Sequence, residues 1–178
     1  AGVAAVLDAT HPFAARISVR SAEICAAEGV PYLRLSRRGF GRHPGWIRHA
    51  DAEACAAALP PGSNVFLTVG PGSVGPFLNR SLKLWCRRID PAPDLPGVGW
   101  IVGKPRNAVM DELAMMRDLG LTCLVTKDSG GSRAKLDAAM ALGVAVHIID
   151  RPPPAPGEET HDIARAIAFV RAHADHLR

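Results

Sequence analysis

The feature that most constrains the fold of this chain is the alternation of short apolar segments with helical segments. Seven segments have the length and composition of β-strands: Val3–Leu7, Tyr32–Leu35, Val65–Val69, Leu82–Ile89, Trp100–Val102, Leu121–Thr126 and Val144–Ile149. Five segments carry helical patterns or helix end signals: Pro12–Glu28, Asp51–Leu59, Asn107–Leu119, Ala134–Leu142 and Glu158–Leu177. The last strand segment is apolar on both faces, which is typical of a parallel strand covered by helices. The alternation therefore predicts an α/β fold with an open, parallel sheet.

Composition narrows the class of protein. No apolar run approaches the length of a membrane span and no signal-peptide pattern opens the sequence, so we expect a cytoplasmic protein without a membrane partner. The seven histidines are scattered and show no metal-ligand spacing, so we expect no metal site. The four cysteines lie far apart and are expected to be reduced packing residues: Cys25, Cys55, Cys86 and Cys123. The oligomeric state stays open.

The net charge of +4 has a local origin in the stretch from Arg34 to His49, where five arginines and two histidines surround Phe40 and Trp46. Three interpretations of this basic stretch stay open. It can be a solvated loop, a loop that meets a small polyanion such as a phosphate or a polycarboxylate, or an RNA-binding segment.

Ligands of open parallel sheets bind beyond the carboxyl ends of the strands, so the loops that follow strands are the places to search for a site. The first such loop carries Asp8, which accepts hydrogen bonds, Thr10, which donates one, and His11, a residue type that titrates near neutrality. An alternative explains part of this loop through local structure, with Thr10 as a helix N-cap and Pro12 in the first turn.

The second loop, Thr68–Gly75, follows the third apolar strand. Its glycines match the spacing G-x-G-x-x-G: Gly70, Gly72 and Gly75. Pro71 removes an amide from the turn and Pro76 interrupts the start of the next helix, so the match to a dinucleotide fingerprint is incomplete. We interpret the stretch as a ligand-facing loop.

Cations mark the third and fourth loops. Lys104 and Arg106 precede a helix N-terminus, where positive charge is unfavourable unless an anion is bound there; solvent exposure is the alternative. In the fourth loop Lys127 supplies a positive charge, and Ser129–Gly131 can turn their amides toward a phosphate or carboxylate. No Walker A, G-x-S-x-G or H-E-x-x-H pattern occurs. Together these loops favour a nucleotide-dependent reaction in which a cofactor does the chemistry.

Two motifs also carry a family resemblance. "DATHPFAARIS" (Asp8–Ser18) and "LVTKDSGG" (Leu124–Gly131) together resemble the precorrin-6A reductase family of cobalamin biosynthesis. Supporting segments occur in the family's order over nearly the whole chain: "VPYLRLSR", "VFLTVG", "AKLDAAMALGV" and "RPP".

The resemblance implies two Rossmann-like halves with parallel sheets and a cleft between the domains. Residues 1–70 are expected to be the remainder of the N-terminal domain, and residues 71–178 the C-terminal α/β domain. The family normally begins with a strand and a glycine-rich turn before a helix. This chain starts after them, so we expect that unit to be missing from the structure or from the polypeptide.

The resemblance also implies hydride transfer from NADPH to a ring double bond of precorrin-6A, which gives precorrin-6B. The alternatives are NADH as the cofactor, cobalt-precorrin-6A as the substrate, or a non-catalytic fragment that binds tetrapyrrole or nucleotide. The macrocycle carries acetate and propionate carboxylates, which accounts for the cationic loops. No nucleic-acid partner is implied.

Site residues follow from the loops and the resemblance together. Those expected to bind the cofactor are Thr68, Gly70, Lys127, Ser129, Gly130 and Gly131. Those expected to bind the substrate are Asp8, Thr10, His11, Arg37, Lys104 and Arg106. The hydride comes from the cofactor, so His11 and Lys127 are candidates for catalysis rather than assigned catalytic residues.

Overall fold

The computed structural model describes residues 2–91, 93–104 and 108–174. The chain divides into two compact units. Unit 1 combines the two ends of the chain, residues 1–39 and 151–178, and unit 2 comprises residues 40–150. Each unit has a sheet of its own.

Helices and strands alternate along the described residues. The strands are β1 (Val6–Asp8), β2 (Tyr32–Leu35), β3 (Trp46–His49), β4 (Asn64–Thr68), β5 (Lys83–Arg88), β6 (Val98–Val102), β7 (Cys123–Lys127), β8 (Ala145–Ile149) and β9 (Glu158–Thr160). The α-helices are α1 (Ala15–Ala27), α2 (Ala52–Ala58), α3 (Val109–Asp118), α4 (Ala134–Ala141) and α5 (Ile163–Ala174). Two short 3₁₀ segments, Pro71–Ser73 and Gly75–Phe77, follow β4.

Unit 1 contains a three-stranded parallel sheet in the order β1-β2-β9. Leu33, in the central strand β2, is 1% exposed. Helix α1 contacts both β1 and β2 and buries a face that contains Ala22 and Cys25. The apolar alternation along β2 and the small residues of α1 thus build one side of this sheet.

Unit 2 contains a six-stranded parallel sheet in the order β3-β8-β7-β4-β5-β6. Its central strands are almost continuously apolar, so both of their faces can be covered by helices. Phe66, Leu124 and Ile148, on three of these strands, are completely buried. They belong to one hydrophobic core that includes Met116 of α3 and Leu136 of α4.

The strand order of unit 2 reverses at one place. From β4 the chain proceeds to β5 and β6 on one side, and it then returns to β7 and β8 on the other side. All these strands are parallel, so their carboxyl ends lie at the same edge. In open sheets of this kind the crevice at the reversal is where ligands bind. In this sheet the reversal lies between the neighbouring strands β4 and β7, so a ligand is expected beyond their carboxyl ends.

The α/β class and the parallel sheets expected from the sequence are confirmed. Two strands differ from the expectation. β3 lies within the basic stretch, where it forms by pairing with β8 and burying Trp46. β9 lies where we expected the last helix to begin; Glu158 and Glu159 adopt strand geometry because β9 pairs with β2, which is distant in sequence.

The compact units are grouped differently from the expected division at residue 70. β4 lies before that boundary, yet it hydrogen-bonds with β5 and β7 after it. The first part of unit 1, in turn, shares its sheet with β9 near the end of the chain. The inter-domain cleft stays a prediction.

Two expectations about side chains and membranes concern the described residues directly. All four cysteines are buried and have free thiols. None of the helices in residues 2–91, 93–104 and 108–174 has the length and apolarity needed to cross a membrane.

Candidate active site

The loops that follow β4 and β7 meet at the strand reversal of unit 2. Lys127, the last residue of β7, donates from Nζ to Ser73 Oγ at 2.8 Å. Ser73 ends the 3₁₀ segment that follows β4. Thr68, the last residue of β4, donates from Oγ1 to the carbonyl oxygen of Val125 at 3.2 Å. Two loops that the sequence predicted to carry a site are therefore joined by side-chain contacts.

The ammonium group of Lys127 lies in a partly desolvated position. The side chain is half-buried, and burial lowers the pKa of its amine. A cation that has lost part of its hydration gains more from a bound anion than a fully solvated cation does. The position therefore suits a phosphate or a carboxylate.

Glycines next to Lys127 have backbone conformations that other residues rarely adopt. Gly130 and Gly131 have φ values of 70° and 90°. Among the described residues, no backbone hydrogen bond uses the amide of either glycine as donor. Since Gly130 is buried, an oxyanion at this position could accept hydrogen bonds from amides that donate to no backbone oxygen within the described part of the chain.

The glycine-rich loop after β4 only partly resembles a dinucleotide fingerprint. Gly70 has a φ of 85°, so a glycine is required there. Gly72 and Gly75 have ordinary φ values, and a Cβ added at either would meet no atom within 4 Å. Two short 3₁₀ segments follow the loop instead of an α-helix. The loop therefore lacks the helix N-terminus that binds pyrophosphate in the complete fingerprint.

Asp128 fixes the backbone between Lys127 and Ser129. Its Oδ1 accepts from the amide of Phe40 at 2.7 Å, and its Oδ2 accepts from Arg48 Nη2 at 2.7 Å. Arg48 also donates from Nε to Asp150 Oδ1 at 2.6 Å. These three side chains connect the carboxyl ends of β3, β7 and β8. The sequence analysis missed this network because its members are distant from one another along the chain. Arg48 and Asp150, for example, are 102 residues apart.

Unit 1 holds a second group of candidate residues around Asp8, the last residue of β1. Asp8 is 5% exposed; its Oδ1 accepts from the Thr10 amide at 2.9 Å and its Oδ2 from the Tyr32 hydroxyl at 2.8 Å. Burial alone raises the pKa of Asp8, but hydrogen bonds from Ser18, Thr10 and Tyr32 outweigh burial and lower the pKa to about 2. Asp8 is therefore a carboxylate at neutral pH.

The surroundings of Asp8 show why the loop is ordered. Arg34 is buried, with its Nε 4.0 Å from Asp8 Oδ2 and 3.7 Å from Glu159 Oε2. Thr10 does not cap a helix, since α1 begins only at Ala15; its Oγ1 lies 3.0 Å from Ser18 Oγ. Nothing in the sequence pattern indicated Arg34 or Ser18 as partners of this loop. The parallel register does pair Asp8 with Arg34 once the strands are known.

His11 is exposed, and its Nδ1 accepts from the amide of Phe13 at 3.2 Å. In the neutral ring the proton is then on Nε2. A cavity of 450 Å³ lies at the start of α1. Its lining includes two guanidinium side chains and is formed by Phe13, Ala14, Ala15, Arg16, Ile17 and Arg20.

Three candidates from the sequence belong to neither of these two groups of contacting side chains. Arg37 is exposed in the loop after β2 of unit 1. Lys104 is exposed two residues after β6 of unit 2, and β5 separates β6 from β4 in the sheet. Arg106 and Asn107 lie outside the described residues. That the loops of both units line one crevice stays a prediction.

The basic stretch Arg34–His49 is largely part of the folded core. Phe40 and Trp46 belong to the hydrophobic core, so neither ring is available for stacking on a nucleic-acid base. Arg34 is buried, and Arg48 pairs with two aspartates. The exposed basic side chains of the stretch are Arg37, Arg38, Arg42 and His43.

Comparison with known proteins decides the family. The model of the family described as "Precorrin-6x reductase CbiJ/CobK" matches residues 1–171, nearly the whole chain. The chain belongs to the precorrin-6x reductase family. The resemblance inferred from the Asp8–Ser18 and Leu124–Gly131 motifs is thereby confirmed.

Relatives within the precorrin-6x reductase family are similar over most of the chain. The precorrin-6A reductase of Rhodococcus erythropolis is 43% identical over 178 aligned positions, which cover 94% of this chain and 71% of the relative. The precorrin-6A reductase of Mycobacterium tuberculosis (strain CDC 1551 / Oshkosh) is 41% identical, with 83% of this chain and 63% of the relative covered. The chain thus spans roughly two thirds of the length of these curated relatives.

A solved structure supports the same family and fold. The structure titled "CobK precorrin-6A reductase" superposes with a TM-score of 0.85 at 31% identity. The superposition covers 97% of this chain and 74% of that protein. The precorrin-6x reductase fold therefore extends through both units.

Proposed function

We propose that this chain catalyses the NADPH-dependent reduction of a macrocycle double bond of precorrin-6A, which gives precorrin-6B in cobalamin biosynthesis. Membership in the precorrin-6x reductase family supports the reaction class. The observation that carries the proposal is the contact of Lys127 with Ser73 at the strand reversal of unit 2, because it forms a cationic, partly desolvated position where ligands of such sheets bind.

The reaction adds two hydrogens to one double bond. When bound, the nicotinamide supplies a hydride to one carbon, and the second carbon needs a proton. The chain's own residues therefore have three tasks: they bind the two anionic molecules, orient them and provide the proton. The two groups of candidate residues divide these tasks.

The unit 2 group suits the cofactor. We assign a phosphate of the cofactor to the ammonium of Lys127 and to the amides of Gly130 and Gly131, with Ser129 as a further donor. Thr68 and Gly70 border the same position at the end of β4. We favour NADPH over NADH because its additional phosphate adds negative charge, which suits a chain with a net charge of +4.

The unit 1 group suits the substrate. We assign the macrocycle carboxylates to Arg16 and Arg20 at the cavity of α1 and, as the sequence predicted, to Arg37, Lys104 and Arg106. Asp8 keeps Thr10 ordered within this loop. His11 is our candidate for the proton donor, because the hydrogen bond to its Nδ1 leaves the proton on Nε2. Lys127 is the second candidate.

Anaerobic incubation of the purified chain with precorrin-6A and NADPH tests the proposal. We expect oxidation of one NADPH for each macrocycle and a macrocycle mass that increases by two hydrogens. NADH and cobalt-precorrin-6A in parallel reactions distinguish the cofactor and the metal content of the substrate. Binding of NADPH and precorrin-6A without any oxidation of NADPH would refute the catalytic proposal and favour a binding function instead.

A further inference from the structure

A buried cluster in unit 2 combines three side chains with metal-binding atoms, and none of them belongs to the proposed cofactor or substrate groups. His49 ends β3, His147 lies in β8 and Cys55 lies in α2. Because Ile47 pairs with His147 in register, and His49 follows Ile47 by two residues, both imidazoles are on the same face of the sheet. Helix α2 packs against both strands and carries Cys55 to them.

The geometry of the cluster is compact. The nitrogen His49 Nε2 lies 2.9 Å from His147 Nδ1, and the ring planes differ by only 7°. One ring nitrogen of each histidine and Cys55 Sγ lie within 4.8 Å of one another. His49, His147 and Cys55 are 9%, 3% and 0% exposed, so water has little access to them.

Burial also determines the protonation of the cluster. It lowers the pKa of both histidines, so the imidazoles are neutral at pH 7 and each has a nitrogen lone pair. It raises the pKa of the Cys55 thiol to about 12, so without a cation the sulfur is protonated. Both imidazoles can therefore offer a lone pair to a cation, and Cys55 must lose its proton to bind one.

We propose that His49 Nε2, His147 Nδ1 and Cys55 Sγ bind a soft divalent cation, with Zn²⁺ as the ion that the donor set suits best. Imidazole nitrogen and thiolate sulfur are the ligands that zinc takes in proteins. Mg²⁺ and Ca²⁺ prefer oxygen ligands, and these three side chains offer no oxygen. The cation is therefore distinguished from the common hard cations by the chemistry of the site.

Binding of the cation replaces the proton of the hydrogen bond between His49 and His147. The two nitrogens now lie at hydrogen-bond distance, and a tetrahedral cation with metal–nitrogen bonds of about 2.0–2.1 Å separates two such nitrogens by about 3.3 Å. The imidazole that donates the hydrogen bond moves its proton to its other ring nitrogen, and the Cys55 thiol releases its proton to solvent. The nitrogen–nitrogen distance must therefore increase by a few tenths of an ångström, and a bound cation would link α2 to the edge strand β3 and to β8.

Cobalt titration tests the proposal, since Co²⁺ bound to thiolate has an intense near-ultraviolet charge-transfer absorption that histidine alone does not give. The untagged full chain, treated with chelator, should bind one Co²⁺ with this absorption and lose it when Zn²⁺ is added. Cys55→Ala should abolish the absorption. Cys86→Ala removes an equally buried thiol from β5 and should retain it.

A stability measurement accompanies the titration. Zn²⁺ should raise the thermal unfolding temperature of the wild-type chain and of Cys86→Ala, but not that of Cys55→Ala or His147→Gln. If Cys55→Ala does not fold, Cys55→Ser replaces it, because a hydroxyl gives no thiolate absorption. Absence of the charge-transfer absorption in the wild-type chain, or its persistence in the Cys55 variant, would show that the three side chains only pack and hydrogen-bond.

Discussion

Lys127 Nζ lies 2.8 Å from Ser73 Oγ, although the two residues are 54 positions apart in the sequence. The contact joins the end of β7 to the segment after β4, and these neighbouring strands are the pair at which the strand order of unit 2 reverses. A hydroxyl holds the ammonium of Lys127 in position without neutralising its charge.

Replacement of Lys127 should affect binding more than folding. A charge-assisted hydrogen bond contributes about 1.5–3 kcal/mol, so Lys127→Ala should weaken NADPH or precorrin-6A binding by roughly ten- to over a hundred-fold. Stability should change by no more than about 0.5 kcal/mol, because the residue lies outside the hydrophobic core. Calorimetry with each ligand, together with thermal unfolding, measures both effects.

Two further variants provide the controls for this prediction. Lys127→Arg should recover only part of the affinity, since a planar guanidinium does not occupy the position of an ammonium. Ser73→Ala keeps the charge and removes only the contact that orients it, so its effect should be smaller than that of Lys127→Ala. Unchanged affinity for both ligands in Lys127→Ala would reduce the loop to a connection between β7 and α4.

The parts of the fold with strong local patterns could be predicted from the sequence. The almost continuously apolar segment Val144–Ile149 predicted β8. The glycine-rich loop that follows Lys127 predicted a ligand-facing end of β7. β9 could not be predicted, because Glu158–Thr160 has no apolar alternation and forms a strand only through its pairing with β2. Tertiary pairing of this kind overrides local preference.

For the candidate site, the sequence indicated positions but not contacts. Asp8 and Lys127 were selected as candidates because polar residues directly follow apolar strands at these positions, and their roles in a site stay predictions. Their partners Tyr32 and Ser73 were missed, since each contact depends on a strand register or loop path that single-sequence patterns do not define. Asp128 was not selected as a candidate, although it accepts hydrogen bonds from two segments that are distant in sequence.

Tyr32 should titrate at unusually high pH, and Asp8 should be part of the reason. Burial raises the pKa of Tyr32 above its ordinary value of 10.0, and the hydrogen bond to Asp8 and the charge of Asp8 raise it further. Asp8→Asn should therefore lower the pKa of Tyr32. The chain has a single tyrosine, so absorbance at high pH reports this group directly. Glu159→Gln is the control, since Glu159 contacts Arg34 and should leave the tyrosine titration nearly unchanged.

Acid should remove the stability that Asp8 provides. The folded-state pKa of about 2 lies below the ordinary value of 3.8, so the stabilisation is fully present above about pH 4 and is lost as the pH falls toward 2. The shift corresponds to about 2 kcal/mol of unfolding free energy. Urea unfolding followed through the Tyr32 signal gives the unfolding free energy of the wild-type chain and of Asp8→Asn. The difference between the two free energies should decrease as the pH falls over this range. A difference that is independent of pH would contradict the role assigned to the carboxylate.

Loss of the Asp128 carboxylate should destabilise unit 2. Asp128→Ala leaves the Phe40 amide and part of the Arg48 guanidinium without their acceptor, which should cost about 2–4 kcal/mol. Asp128→Asn should cost less, because its side-chain oxygen still accepts one hydrogen bond. Urea unfolding followed by tryptophan fluorescence measures both, since all three tryptophans lie in unit 2. Asp137→Ala breaks an exposed ion pair with Arg133 and should change stability by less than about 0.5 kcal/mol. If Asp128→Ala were equally mild, the network would not stabilise the carboxyl ends of these strands.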